Sequence, residues 1–264
     1  MKGEPVDGVT LLAGEIYLLR RKERDQVEVY DVITYCLQRC LTVPDAFGFM
    51  SMTSCEYYRC VYIGDCVAEC VHRLNVRGTV TRWAVNDNPW GLSVNSAYNV
   101  IVTCNTVRKI KEFSSHGDLL RELTIPNDVI TPWHAIQTRS GQFIVCHGSS
   151  ALNDPVHRVC MISADGRHIV HSHGGQSGPD TGQYNVPRYL AVDDDEFILV
   201  ADVRNHRVTL LSPRLEYIRH AVTRDQLKLE PYFLYLDRQR HLYVAVNKWN
   251  NERMIAGRVE VFSV

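Results

Sequence analysis

Residues 186–213 read "VPRYLAVDDDEFILVADVRNHRVTLLSP". Two short runs rich in branched and aromatic side chains, "YLAV" and "FILVAD", flank an acidic turn. A third, "RVTLL", follows a polar cluster that holds Asp202, Arg204, His206 and Arg207. Runs of this length, bounded by turn formers, are strands. Taken alone, an Asp, a His and two Arg in eight residues look like a catalytic or nucleic-acid-binding constellation. Whether they are one depends on whether the rest of the chain repeats them.

It does. Residues 91–121 slide onto 189–219 without a gap, an offset of 98. Gly91–Asn95 then lies over Tyr189–Asp193, and Val100–Thr103 over Ile198–Ala201. A further copy, beginning at Trp133, sits between them, so the unit is about fifty residues long. Extended both ways, it occurs six times, with middle strands at Ile16–Leu19, Val61–Gly64, Val100–Thr103, Phe143–Cys146, Ile198–Ala201 and Leu242–Ala245. Four short antiparallel strands repeated in this way predict an all-β fold, a six-bladed β-propeller of four-stranded blades. One domain is expected over 1–264, with blades near 8–44, 45–86, 87–128, 129–175, 176–227 and 228–264. The last blade is expected to be three-stranded or weakly closed, since only residues 1–7 are left to complete it.

Bulk properties narrow the class. Apolar residues make up 45% and charged residues 22%, and 29 basic side chains face 30 acidic ones for a net charge of −1. That balance suits a globular domain and argues against one dominated by nucleic-acid or membrane electrostatics. No apolar run reaches membrane-spanning length, and the opening residues lack the apolar segment of a signal peptide. Nine cysteines without regular spacing predict free thiols and a cytoplasmic location.

Pro187, Val192, Asp193, Val200, Ala201, Asp202, Asn205, His206, Arg207 and Val208 form a pattern that resembles an NHL repeat. Upstream, Gly182, Gln183 and Asn185 resemble the glycine-rich linker of such repeats. The likeness is strong over 174–219, fair over 87–170 and weak over 8–86 and 228–264; Cys104 and Cys146 stand where the pattern has Asp. The resemblance implies a six-bladed propeller like the C-terminal domain of tripartite-motif ubiquitin ligases, which recruits proteins and, in some members, RNA. The cysteine spacing of a RING or B-box does not occur in this chain, nor does a heptad stretch.

In such a propeller the first strand of each blade lies nearest the channel, and the first strands begin on one face, the top. Aromatic and basic residues gather there: Phe47, Trp90, Trp133 with His134, Arg188 with Tyr189, and Tyr232 with Phe233. The turns of that face add Arg20, Arg21, Lys22, Arg24, Arg108, Arg204, Lys248 and Arg253, opposed by Glu23, Asp65, Glu69, Asp154, Asp202 and Glu252. Flat rings interleaved with guanidinium groups anchor a partner's peptide or stack bases; the competing reading packs the rings between blades. The modest basic content favours a protein partner, with single-stranded RNA as the alternative. Neither a membrane nor a small-molecule substrate is expected.

No cofactor is expected either. His171 and His173 share a strand face with His168 nearby, but no third ligand is evident. Cys55, Cys60, Cys66 and Cys70 lack zinc spacing, and "GGQSG" at 174–178 reads as a flexible connection between blades. Propeller enzymes need His, Asn or carboxylates converging on the channel. Here the inward candidates His134, His147, Asp65, Asp202 and Asn247 come from scattered turns, so the expectation is a non-catalytic platform, with a metal-dependent hydrolase or lyase as the lesser alternative. Repetition also recasts residues 201–208 as a structural corner. Asp202 should accept turn amides, Asn205 adopt left-handed geometry, Arg207 reach a carboxylate and Arg204 point outward.

Overall fold

The computed structural model describes residues 2–20, 26–148, 156–250 and 253–264. Its strands form six four-stranded antiparallel sheets. Blade 1 comprises Val6–Leu12, Glu15–Arg20, Gln26–Asp31 and Leu37–Thr42; blade 2, Phe49–Cys55, Cys60–Asp65, Cys70–Asn75 and Val80–Ala84. Blade 3 comprises Pro89–Val94, Val100–Cys104, Lys109–Phe113 and Leu119–Thr124; blade 4, Pro132–Gln137, Phe143–His147, Val156–Ile162 and Ile169–Gln176. Blade 5 holds Pro187–Val192, Ile198–Asp202, Arg207–Leu211 and Tyr217–Val222, and blade 6 Glu230–Leu236, His241–Asn250 and Arg253–Ser263.

The ends of the chain complete blade 6. Lys2–Gly3 pairs antiparallel with its last strand, Lys2 against Arg258 and Gly3 against Gly257. Beside this two-residue strand, the Asn247 side chain clasps the backbone of Val6. It accepts the Val6 N–H at 2.8 Å and donates to the Val6 carbonyl at 2.9 Å. Blade 6 thus has three full strands, as expected, and its closure is completed by a two-residue fourth strand and a buried amide clasp.

Each sheet is covered on both faces by its neighbours, which explains why the second strands lack alternation. Cys60–Asp65, Val100–Cys104, Phe143–His147 and Ile198–Asp202 are buried at every residue. The outer strands Leu37–Thr42 and Leu119–Thr124 alternate between exposed and half-buried, as strands with one solvated face do. The core lies between blades instead of at one centre. One apolar cluster joins blades 1 and 2 through Leu19, Val27, Met52 and Ile63. Another joins blade 6 to blades 1 and 5 through Val9, Leu18, Val244, Leu242 and Leu210. A lone blade would leave both faces wet, so the ring folds as a unit.

Candidate functional site

In all six blades the pairing of the first and second strands slips by one residue at the same place. The slips fall at Val6/Gly8, Phe49/Ser51, Pro89/Gly91, Pro132/His134, Pro187/Tyr189 and Pro231/Phe233. A bulge of this kind leaves one residue out of the ladder and re-aims its side chain. The residues skipped are Asp7, Met50, Trp90, Trp133, Arg188 and Tyr232, one per blade, at the top mouth of the channel. Four of them follow a proline, which sheets tolerate at strand starts and bulges.

Of the aromatic and basic residues expected at the mouth, this ring holds Trp90, Trp133, Arg188 and Tyr232, the last only 6% exposed. Trp90 and Trp133 meet edge to face at 5.5 Å. The Arg188 guanidinium lies over Trp133 at 4.6 Å, over Tyr232 at 5.0 Å and over Trp90 at 6.0 Å. Trp249 stacks on Tyr232 at 6.2 Å and is itself 41% exposed. The Tyr232 hydroxyl donates to Glu230 Oε2 at 3.3 Å. Burial raises the Glu230 carboxyl, against the pull of Arg204 and of that hydroxyl. Next to this cluster, Phe47, Met50, Val67 and Trp90 line a pocket of about 210 Å3 together with the buried charged residues Asp7 and Arg20. Cys66 also lines it, but burial pushes its thiol up to about 12, so it is a poor nucleophile.

One residue deeper the ring changes character. Blades 1, 2 and 3 carry Gly8, Ser51 and Gly91; blades 4, 5 and 6 carry His134, Tyr189 and Phe233. His134, Tyr189 and Phe233 therefore do not sit on the open rim where the sequence put them. They are 2%, 6% and 3% exposed and plug the channel. Tyr189 stacks on His134 at 3.8 Å, meets Phe233 at 5.2 Å, and crosses to blades 2 and 3, where its hydroxyl approaches the carbonyls of Met52 and Leu92 at 3.1 and 3.3 Å. Below the plug a hollow of about 630 Å3 opens on the bottom face, lined by Tyr57, Tyr98, Asp194, Glu196 and Arg238 among others. Several carboxylates there are spent on turns: Glu196 accepts the Arg139 N–H at 2.6 Å, and Asp193 accepts those of Asp195 and Phe197 at 3.0 and 2.8 Å.

The remaining expected residues divide. Phe47 precedes its strand, is 54% exposed, and donates its N–H to Asp65 at 2.7 Å. Arg204 and Lys248 are exposed, and neither makes an ion pair among the described residues. Arg20 is not a free top-face cation. It is buried against Glu28 at 2.8 Å and the Glu4 carbonyl at 2.9 Å. Arg21, Lys22, Glu23, Arg24, Asp154 and Glu252 lie outside the described residues, as does the side chain of Arg253.

The polar cluster that began the reading is a corner. Asp202 accepts the Asn185 N–H at 2.7 Å, the Asn205 amide at 2.7 Å and Arg207 Nε at 2.8 Å. Burial nevertheless raises its carboxyl to about 6. The left-handed residue is His206, φ 54°, and not Asn205, which is in a single 3-10 turn and spends its side chain on Asp202 and Gly178. Arg207 also donates to the carbonyls of Pro179 and Gln183, both at 2.7 Å. The glycine-rich stretch is thus pinned, not a loose connection. At the matching corner of blade 2, burial raises Asp65 but the N–H groups of Phe47, Ala68, Gly48 and Val67 outweigh it, holding the carboxyl below its usual range.

The inward polar residues do not converge. His147 accepts from Arg158 at 2.9 Å, and Asp65, Asp202 and Asn247 are committed to turns or the clasp in separate blades. Among the described residues no group of three or more His, Cys, Asp or Glu side chains is placed to hold a metal. His173 packs edge to face on Tyr184 at 5.6 Å. All nine cysteines are free thiols, and no described helix is long and apolar enough to cross a membrane.

No protein-family model and no curated protein sequence matches the chain. Solved propellers do. A streptogramin B lyase superposes with a TM-score of 0.69 at 10% identity, over 99% of this chain and 84% of its own. Virginiamycin B lyase from Staphylococcus aureus gives 0.67 at 11% identity over 98% and 84%. The WD40 propeller domain of Doa1 gives 0.66 at 10% identity over 98% and 79%. The chain is thus a six-bladed β-propeller, and the solved structures it resembles include lyase and WD40 propellers. These neighbours count against the expectation of a non-catalytic chain, drawn from its scattered inward polar residues, since solved propellers that match nearly the whole chain include lyases. At such identities the likeness is one of fold.

Proposed function

We propose that the chain is a binding platform that captures a segment of a partner protein on the top face of its propeller. The observation that carries this reading is the ring of bulge residues, which gathers half-buried Trp90 and Trp133 about Arg188 and leaves Trp249 and Phe47 exposed beside them. Tryptophan, tyrosine and arginine clustered around a partly desolvated centre make up the composition of binding hot spots. The superposition on a WD40 propeller and the NHL-like pattern of residues 174–219 support the same use of the fold. The bottom hollow is larger, but Asp193 accepts N–H groups of its own loop, and Glu196 and Glu56 accept those of neighbouring blades' loops.

Selection of random peptides displayed on phage against the immobilised chain tests this. Selected peptides should lose binding to the Arg188→Ala and Trp249→Ala variants and keep it for Arg238→Ala on the opposite face. A selection whose peptides ignore both top-face substitutions, or yields none, would sink the proposal.

A further inference from the structure

Below the plug the channel is a blind site open only to the bottom face. A cavity of about 200 Å3 runs down from His134 and Tyr189 between the first strands, past Thr10, Thr53 and Ser93. It shares Ser54, Val94, Gln137 and Tyr235 with the hollow of about 630 Å3 beneath it. The hollow alone falls within the roughly 300–1,000 Å3 of small-molecule sites. At its rim Tyr57 stacks face to face on Tyr98 at 4.3 Å, yet the two remain 65% and 42% exposed. Tyr58 braces the pair edge-on, 4.9 Å from Tyr57 and 6.2 Å from Tyr98. The tyrosines thus form a fixed aromatic shelf with surface left for a ligand.

The charged groups around this shelf are of mixed sign. Four carboxylates, Glu56, Asp193, Asp194 and Glu196, line the hollow with two guanidiniums, Arg139 and Arg238. Glu56, Asp193 and Glu196 are held in place by the backbone N–H groups they accept, so the acceptor edge is preformed. Among the described residues the side chains of Asp194, Arg139 and Arg238 make no hydrogen bond or ion pair, although Asp194 and Arg238 line one side recess together. A polyanion would meet the excess of carboxylates, and a polycation the guanidiniums. An apolar ligand would strip water from both. A hydroxyl group suits them all, because it donates and accepts, whereas a carboxylate only accepts and a guanidinium only donates. We infer that the bottom hollow binds a neutral sugar of one or two rings, its apolar ring face laid on the Tyr57–Tyr98 shelf and its hydroxyls shared between Asp194 and the two guanidiniums. This site is separate from the top face and does not depend on the proposal made for it.

Saturation-transfer difference NMR on the full chain tests this with glucose, galactose, mannose, N-acetylglucosamine, maltose, cellobiose and lactose at millimolar concentration, beside adenosine monophosphate and spermidine. At least one sugar should receive saturation, strongest at the protons of one ring face, and its signal should level off on titration. Tyr57→Ala, altered at an exposed position, should weaken binding of that sugar about tenfold, and Asp194→Asn and Arg238→Met about threefold to tenfold each. Leu120→Ser, exposed on the outer strand of blade 3, should leave it unchanged. The inference falls if no sugar of the panel binds, or if adenosine monophosphate or spermidine binds more tightly than every sugar. It falls equally if Tyr57→Ala binds as well as the parent chain, or if Asp194→Asn and Arg238→Met both do. None of these results touches the top-face platform, whose test turns on Arg188 and Trp249 on the other side of the plug.

Discussion

The two halves of the channel were built from the same repeat and filled in opposite ways. Just below the bulges, blades 1 to 3 place Gly8, Ser51 and Gly91, while blades 4 to 6 place His134, Tyr189 and Phe233. A ring of six medium-sized residues would meet at the axis with an empty centre or a clash. Here one half withdraws to backbone and the other half crosses over, so Tyr189 of blade 5 reaches the carbonyls of blades 2 and 3. Asymmetry within a repeat is thus how this propeller seals itself. It also separates a small mouth above from a wide hollow below.

That comparison breaks most sharply at Tyr189. Tyr189→Ala removes the plug with nothing able to collapse into its place, and should cost about 3–5 kcal/mol in denaturant unfolding. His134, stacked beneath it, provides the next largest effect. Burial outweighs the bond to the Leu92 carbonyl and lowers its pKa to about 4. Between the unfolded value near 6.5 and that figure, the unfolded chain binds a proton that the native one refuses. Stability should therefore be full above pH 6.5 and fall by ~3 kcal/mol as the pH drops toward 4. In His134→Gln this part of the pH dependence should flatten.

The emptied half is sharpened from the other direction. A Cβ on Gly91 would meet the Trp133 carbonyl at 2.5 Å and the His134 Cα at 2.9 Å, backbone atoms that cannot step aside. Gly91→Ala should cost about 1–3 kcal/mol by the same unfolding assay. Tyr189→Phe, which keeps the ring and removes only its hydroxyl, should cost about 1 kcal/mol. If Tyr189→Phe equals Tyr189→Ala, the hydroxyl and not the filled volume holds the two halves together.

Much of the ring was legible because it repeats. The buried second strands announce themselves as unbroken apolar runs, and the offset between Gly91 and Tyr189 reveals their period. The corner at Asp202 was legible in part for the same reason: Arg207 was expected to reach a carboxylate, which is that of Asp202, but the left-handed residue is His206 and not Asn205. What the strand periodicity hid was the bulge. A slip of one residue swaps which side chain faces the mouth and which sinks into the channel, so Trp133 and His134, or Arg188 and Tyr189, could not be told apart. The prolines at 89, 132, 187 and 231 mark where the ladder slips, a signal visible only once the blades are superposed. Trp249 was missed because it extends the long hairpin of blade 6, which has no counterpart in other copies from which to read it. The pinning of residues 179–183 by Arg207 was hidden because carbonyl acceptors leave no mark in a sequence.

The clasp between Asn247 and Val6 sets a clock on synthesis. Its two residues are 241 positions apart, and a ribosome adding roughly 5–20 residues per second leaves Val6 waiting on the order of ten to fifty seconds for its partner. Through that interval the apolar face formed by Val6, Val9 and Leu18, which finally packs on Leu242, Val244 and Val246, has nothing to cover it. Loop-closure entropy adds little to the delay, since it grows only logarithmically with length. The exposure lies in the time before the last blade arrives, and that is when a nascent chain of this design is most open to aggregation or to a chaperone's grip.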